Sequence, residues 1–457
     1  MDDTARADPS QRPWAGRLGI GAALFALALG WFLFDGSAPA DELRIDEGEW
    51  ISSGVHAWQL ATTGKSVDLG ATPEERAADA QRPWRSGIES STFGWMNPLL
   101  PKLLFGAAAQ ASGVDTTTRA AYMRFQTGNA RYVAARREHQ RFAPALPATR
   151  FVVTLFGAAV AVLLFAVATR TAGVAAGLTA YALWLASPTG SQMADWVRTG
   201  LFPLAFGLAA LWLVLARGPQ LTGQRGLGPL VGTALLLGLL CGAAVGSKLN
   251  GALVSFAVPL WLLASWRAGD NEARPPLWRP ALSLALTAAV CGLLFRLSLP
   301  GLWDVDPVSG LRRLLDAWGN SFDAMAKRAN HDPVPEGLAG RLGLVGRRFF
   351  FELEPIRALT GIAAGVVLVP LATLAVGLRA LRGALPAQLV LIHAVVLSVG
   401  TVAWLPLDAK RFFYPLVLVS VLLYAAALGA GAGLLARGRS STSGSQKQRD
   451  FIPASQR

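Results

Sequence analysis

Ten stretches of the chain are apolar enough, and long enough or nearly so, to cross a hydrocarbon layer, and this succession limits the fold more than any other feature. A membrane-spanning helix needs ~20 mostly apolar residues. Runs at 18–34, 148–170, 174–190, 200–217, 227–246, 249–266, 280–299, 358–377, 386–404 and 413–436 meet or approach that length. Lipid offers no partner to an open backbone group, so each run must close its hydrogen bonds within itself as a helix. The expected fold class is therefore an all-α polytopic membrane protein with about ten transmembrane helices. A content of 53% hydrophobic and 16% charged residues in 457 excludes an ordinary soluble domain.

The formal charge of +13 would suggest nucleic acid in a soluble protein. Here the basic residues sit between apolar runs: Arg170, then Arg217 and Arg225, then Arg267, Arg274 and Arg279, then Arg379 and Arg382, and in the tail Arg437, Arg439, Lys447 and Arg449. The positive-inside tendency assigns these connections to the cytoplasm, so membrane topology and contact with membrane lipids account for the charge. An even number of spans gives a cytoplasmic N-terminus over 1–17, a membrane domain over 18–436 and a Ser/Gln/Lys-rich cytoplasmic tail over 437–457, read as disordered. The first run, Leu18 to Phe34, is expected to stay as an anchor.

The opposite side receives 35–147, 191–199, the 246–250 turn, 300–357 and 405–412. The basic segment from Arg119 to Arg150 falls there too, as a long loop can regardless of charge. In the second long loop Leu311, Leu314, Leu315, Trp318, Phe322 and Met325 recur at helical spacing, which predicts a helix lying in the interface. The run from Asn97 to Ala111 is too short for a full span and is read as an interfacial or partly inserted helix.

Every chemically distinctive cluster falls on this outer side. The densest is Arg44-Ile45-Asp46-Glu47-Gly48-Glu49-Trp50, a carboxylate loop just beyond the first span, with Trp50 a typical interface aromatic. A carboxylate there suits a base that takes the proton of an acceptor hydroxyl; the plainer reading is a solvated acidic turn, with Asp41 and Glu42 nearby. Lys102 either holds a phosphate or snorkels to the headgroups. Asp195 and Arg198 stand three apart at the mouth of a span and either serve a ligand or pair with each other. Lys248 occupies a turn so short that its charge stays near the membrane surface. Arg411 and Tyr414 open the last run, where interface anchoring is the alternative. Together, a carboxylate group and four separate cations suit transfer from a lipid-linked phosphate, with a base for the acceptor and positive charge for the leaving group.

His56, His139, His331 and His393 show no metal-ligand spacing, so no protein-built zinc site and no cofactor are expected. Glu352 and Glu354, behind three phenylalanines, form a second acidic candidate.

The order of these clusters resembles the lipid-carrier-dependent glycosyltransferases of the GT-C superfamily, the protein O-mannosyltransferase and aminoarabinose transferase type (glycosyltransferase family 39-like). The matching stretches are Asp46-Glu47, Asn97-Pro98-Leu99 running into Phe105-Gly106, Gly242 to Asn250, and Arg411-Phe412-Phe413-Tyr414-Pro415. Asn97 stands where the family carries a basic residue or histidine, and Ser247 and Leu249 where it carries threonine and tyrosine. The resemblance implies a GT-C-like bundle and an inverting transfer from a polyprenyl-phosphate sugar to a protein, lipid or glycan acceptor, in a bacterial inner membrane. It makes Asp46 the catalytic carboxylate with Glu47 assisting, and Lys102, Arg198, Lys248 and Arg411 the candidates for the lipid phosphate. Trp50, Asn97, Asp195 and Tyr414 are further site candidates. The competing class is a transporter or flippase of a lipid-linked or anionic solute, which should bury polar groups at mid-span and repeat its halves. Mid-span positions here are almost all apolar, Arg296 apart. A non-catalytic membrane assembly subunit is a third reading.

Overall fold

The computed structural model describes residues 12–34, 45–63, 98–114, 140–269, 274–299, 306, 308–310, 312, 334–335, 337–403, 413–429 and 431. Among these there is no strand. The helices are α1 (Arg12–Phe34), α2 (Ile45–Thr63), α3 (Leu99–Ala111), α4 (Leu146–Ala172), α5 (Val174–Ala186), α6 (Pro188–Asp195), α7 (Leu201–Leu221) and α8 (Leu227–Val245). They continue as α9 (Ala252–Arg267), α10 (Trp278–Leu297), α11 (Leu338–Arg348), α12 (Pro355–Thr360), α13 (Gly365–Leu381), α14 (Leu385–Ala403) and α15 (Tyr414–Gly429).

Six helices are long and apolar enough to cross a membrane: Phe142–Ala172, Leu201–Leu221, Leu227–Val245, Leu249–Arg267, Trp278–Leu297 and Leu385–Ala403. Shorter apolar helices stand at the other four expected runs, namely Gly19–Phe34, Val174–Ala186, Gly365–Leu381 and Tyr414–Gly429. The chain is an integral membrane protein. Two boundaries differ from the hydropathy reading. The run at 174–190 stops at Ala186, because Ser187 is held extended ahead of Pro188, which opens α6. The run at 358–377 becomes Gly365–Leu381, because α12 intervenes and ends at Gly361, whose φ of +74° is the left-handed conformation that glycine adopts without strain.

α4 is the hub, packed against α1, α3, α5, α6 and α7. α7 leads on to α8 and α9, α9 to α14, and α14 to α13. α15 is buried at every residue from Tyr414 to Ala426, as befits a helix apolar all round, and it runs through the bundle rather than along its rim. Outward-facing leucines and valines such as Val367, Leu371, Leu374 and Leu378 of α13 or Leu293 and Leu297 of α10 present the apolar surface that lipid requires.

The acidic stretch expected to be a loop is the first turn of α2. Carboxylates are favoured there by the unpaired amides and partial positive charge of a helix start. α3, expected as an interfacial or partly inserted helix, packs against α2 and α4, with Leu99, Pro101, Lys102, Phe105, Gly106 and Ala109 buried. Glycine permits this, since a Cβ on Gly54 would stand 2.8 Å from both the Gly106 amide nitrogen and the Lys102 carbonyl oxygen. The predicted interfacial helix over 311–325 lies outside the described residues apart from Arg312, as do residues 1–11 and 432–457.

Candidate active site

Glu47 is 1% exposed, which rules out the solvated turn for this residue. The Arg150 guanidinium donates from Nε to Oε1 across 2.9 Å and from Nη2 to Oε2 across 2.8 Å. The Val197 amide adds a third bond to Oε1 at 3.2 Å. A carboxylate taken out of water needs such a fork of donors, which satisfies both oxygens and fixes their direction. One buried acid therefore ties the start of α2 to the start of α4 and to the strand-like segment after α6.

Asp46 lies in the same helical turn, and its side chain is outside the described atoms. At about 100° per residue, positions 50, 54 and 58 form one stripe of α2. That stripe is the one α3 covers: Trp50 meets Phe105 edge-on with ring centroids 6.5 Å apart, and Gly54 abuts the Lys102 backbone. Further along, Trp58 donates from Nε1 to Gln110 Oε1, so the two helices run side by side in the same direction.

Lys102 is 1% exposed and does not snorkel. Burial lowers its amine from 10.5 to about 7, because a charged ammonium loses hydration there. The amides that start α3 are already used. Leu99 N donates to Ser298 O at 2.9 Å and Leu100 N to Gly246 O at 3.1 Å, while Pro101 has no N–H. A phosphate at this helix start would therefore be met by the Lys102 side chain rather than by backbone donors.

The last turn of α6 is anchored by Thr154, whose hydroxyl donates to Ala194 O at 3.1 Å. Asp195 is buried, Trp196 is extended, and the Arg198 guanidinium lies 4.1 Å from the centroid of the Trp196 ring. That contact with the ring face helps to orient the cation. Lys248, half-buried and extended, precedes the short 3-10 turn Leu249–Gly251. Asn250 Oδ1 in that turn is buried and has no hydrogen-bond partner among the described residues. Tyr414 is buried at the start of α15, its ring 3.8 Å from the Cβ position of Gly200.

The sequence-expected Glu47, Trp50, Lys102, Asp195, Arg198, Lys248 and Tyr414 thus belong to connected segments at one end of the bundle. Asn97 and Arg411 lie outside the described residues. Arg150 was passed over as the end of a basic insertion. Its signal was an arginine placed at the start of an apolar run, where a lone charge needs an acid. The second acidic candidate is fully engaged elsewhere. Glu352 pairs with Arg348 at 2.6 Å, and Glu354 caps α12 through the amides of Ile356 and Arg357 while accepting from the Tyr424 hydroxyl at 2.7 Å. His393 is buried in the bundle, stacked on Trp261 with centroids 5.6 Å apart.

No family model and no curated protein sequence matches the chain. Solved structures do. The apo oligosaccharyltransferase of Archaeoglobus fulgidus aligns with a TM-score of 0.55 at 12% identity, over 93% of this chain and 52% of that one. The archaeal oligosaccharyltransferase AglB in complex with an inhibitory peptide and a dolichol-phosphate gives 0.54 at 13% identity, over 93% and 52%. A weaker likeness, TM-score 0.40 at 15% identity over 62% and 33%, is to the Saccharomyces cerevisiae Pmt1-Pmt2 protein O-mannosyltransferase complex bound to its sugar donor. The chain spans about half the length of the oligosaccharyltransferase chains it matches. What it shares with them along almost its whole length is the fold of these archaeal membrane oligosaccharyltransferases.

Proposed function

We propose that the chain is a membrane glycosyltransferase that moves a sugar from a polyprenyl-phosphate-linked donor to an acceptor hydroxyl or amine on the non-cytoplasmic side of a bacterial inner membrane. The observation that carries this reading is the tie between acid and cation segments. Glu47 fastens the first turn of α2 to Arg150 and to the segment bearing Arg198, and α3, bearing Lys102, is stitched to the turn bearing Lys248.

In the proposed reaction Asp46 takes the proton of the acceptor as its oxygen or nitrogen attacks the anomeric carbon. The bond from that carbon to the phosphate oxygen breaks, its electron pair stays on the phosphate, and polyprenyl phosphate leaves. Attack opposite the leaving group inverts the anomeric centre in one displacement. Lys102, Arg198, Lys248 and Arg411 are the proposed cations for the phosphate, whose growing charge they stabilise. Glu47 assists by holding the turn that carries Asp46. Trp50, Asn97, Asp195 and Tyr414 are proposed to line the cleft, and the acceptor is a protein, lipid or glycan.

The test is a donor screen: purified protein in lipid nanodiscs, synthetic polyprenyl-phosphate sugars of several kinds, each offered with peptide, lipid and glycan acceptors, and release of polyprenyl phosphate as the readout. Release from at least one donor, lost in Asp46→Asn, is the expected result. Absence of release from every polyprenyl-phosphate sugar, with turnover of another donor class, would overturn it.

A further inference from the structure

α8 carries glycine at 238, 242 and, just past its end, 246, one per turn on a single stripe. α10 packs down that stripe. A Cβ on Gly238 would stand 2.7 Å from Cβ of Val290 and 2.9 Å from the Thr287 carbonyl oxygen. On Gly242 it would meet Leu294 at 2.7 Å from Cδ1 and 2.8 Å from Cβ, and on Gly246 it would lie 3.3 Å from Cβ of Ser298. Both helices advance four residues per contact, so they run parallel and in register. Within lipid, helices associate through such small-residue seams because close van der Waals contact replaces the missing hydrophobic drive.

The seam ends at the candidate site. Its last members on the two helices, Gly246 and Ser298, give their carbonyl oxygens to the consecutive amides Leu100 and Leu99 of α3, at 3.1 and 2.9 Å. Carbonyls at a helix end and amides at a helix start both lack intrahelical partners, and here each set satisfies the other. Two adjacent amides can reach both carbonyls only while α8 and α10 keep their present spacing. Lys102 lies two residues beyond Leu100, and Lys248 two residues beyond Gly246, so one backbone bond sits midway between the two lysines along the connected path.

We infer that the Gly238–Gly242–Gly246 seam sets the spacing between Lys102 and Lys248, and through it the fit of the donor phosphate, a role that rests on the assignment of both lysines to that phosphate. These glycines are positioning residues. They touch no substrate and act through the two carbonyls that hold α3.

The experiment crowds the seam and reads the lysine. Gly242→Ala forces Leu294 away, and because Cβ of Leu294 itself is in the path, relief requires Leu294→Gly rather than alanine. Three readouts are taken in nanodiscs: labelling of Lys102 by an amine-specific reagent followed by mass spectrometry, donor KM and kcat, and Tm. In Gly242→Ala, Lys102 labelling and donor KM are each expected to rise on the order of tenfold, with kcat within about twofold. Adding Leu294→Gly restores both. Gly177→Ala, which crowds the Phe165 carbonyl in the α4–α5 packing, is expected to lower Tm and leave both at the wild-type value. If Gly242→Ala is not recovered folded, Leu294→Ala loosens the same contact and is expected to raise Lys102 labelling. Unchanged labelling in a seam variant whose Tm has moved, or equal labelling in Gly177→Ala, overturns the inference. Labelling that rises while donor KM stays fixed leaves the seam standing and overturns instead the assignment of Lys102 to the phosphate.

Discussion

Arg150 grips both oxygens of Glu47, at 2.9 and 2.8 Å, in a setting where Glu47 is 1% and Arg150 13% exposed. Removing one partner of a buried pair leaves an uncompensated charge, which costs about 3–5 kcal/mol. Arg150→Gln is therefore expected to lower thermal stability severely. Arg348→Gln breaks an ion pair of similar length, 2.6 Å, whose side chains are 24% exposed, and it should cost no more than about 1 kcal/mol. Unfolding of the two variants in one detergent makes the comparison, and equal losses would show that the Glu47 pair is not held in a low-dielectric setting.

Asp46 and Glu47 are neighbours in sequence with different expected phenotypes. Asp46→Asn preserves shape and is expected to lower transfer by about 10²–10⁴, the usual worth of a general base, while costing at most about 1 kcal/mol of stability from the lost charge at the helix start. Glu47→Gln keeps one acceptor oxygen but turns the other into an NH2 group that faces a donor, and it strands the guanidinium charge, so it should lose stability as well as activity. A stable, inactive Glu47→Gln beside an active Asp46→Asn would exchange the two roles.

The apolar runs made the bundle legible, because the cost of open backbone in lipid leaves few alternatives to helix. Hydropathy could not see that Pro188 cuts one run or that Glu354 and Gly361 build an extra short helix before α13, since those are local backbone events inside apolar sequence. At the site, residue type pointed to Lys102, Arg198 and Lys248, but burial is a tertiary property. Lys102 suited either a phosphate or a snorkelling role in sequence, and only the packing of α3 in the bundle shows it buried. For Glu47 the solvated and buried readings stayed open in sequence because its partner lies 103 residues away, beyond any local pattern. The glycines at 238, 242 and 246 were visible, yet nothing in one sequence says which helix lies on them.

The burial that holds the Lys102 amine at about 7 makes donor binding sensitive to alkali. Below that pH the empty site already carries the ammonium that a phosphate requires. Above it the amine is neutral, and binding must take up a proton, at about 1.4 kcal/mol per pH unit. Donor Kd is therefore expected to be flat below about 7 and to weaken by up to about tenfold per unit above it, until the pKa of the loaded site is reached. Lys102→Met should bind the donor more weakly and without this slope. Calorimetry in two buffers of different ionisation enthalpy reads the proton directly, and no uptake at pH 8 would exclude Lys102 from the phosphate.

Glu354 illustrates an acid whose duty is structural. It is fully buried, caps α12 through two amides, accepts from Tyr424 of α15, and lies so near Gly365 that a Cβ there would stand 2.7 Å from its Cδ. Tyr424→Phe leaves the amides in place and should cost about 1–3 kcal/mol, the range for removing one partner of a buried hydrogen bond. Glu354→Ala loses the cap as well and orphans the Tyr424 hydroxyl, so its cost should be larger. Because both changes remove the same bond, the double variant is expected to lose less than the sum of the singles by about 0.5–3 kcal/mol, and neither should alter donor KM. Strict additivity in this cycle would mean that the hydroxyl and the carboxylate do not stabilise one another, and that α15 is held in the bundle by its apolar packing alone.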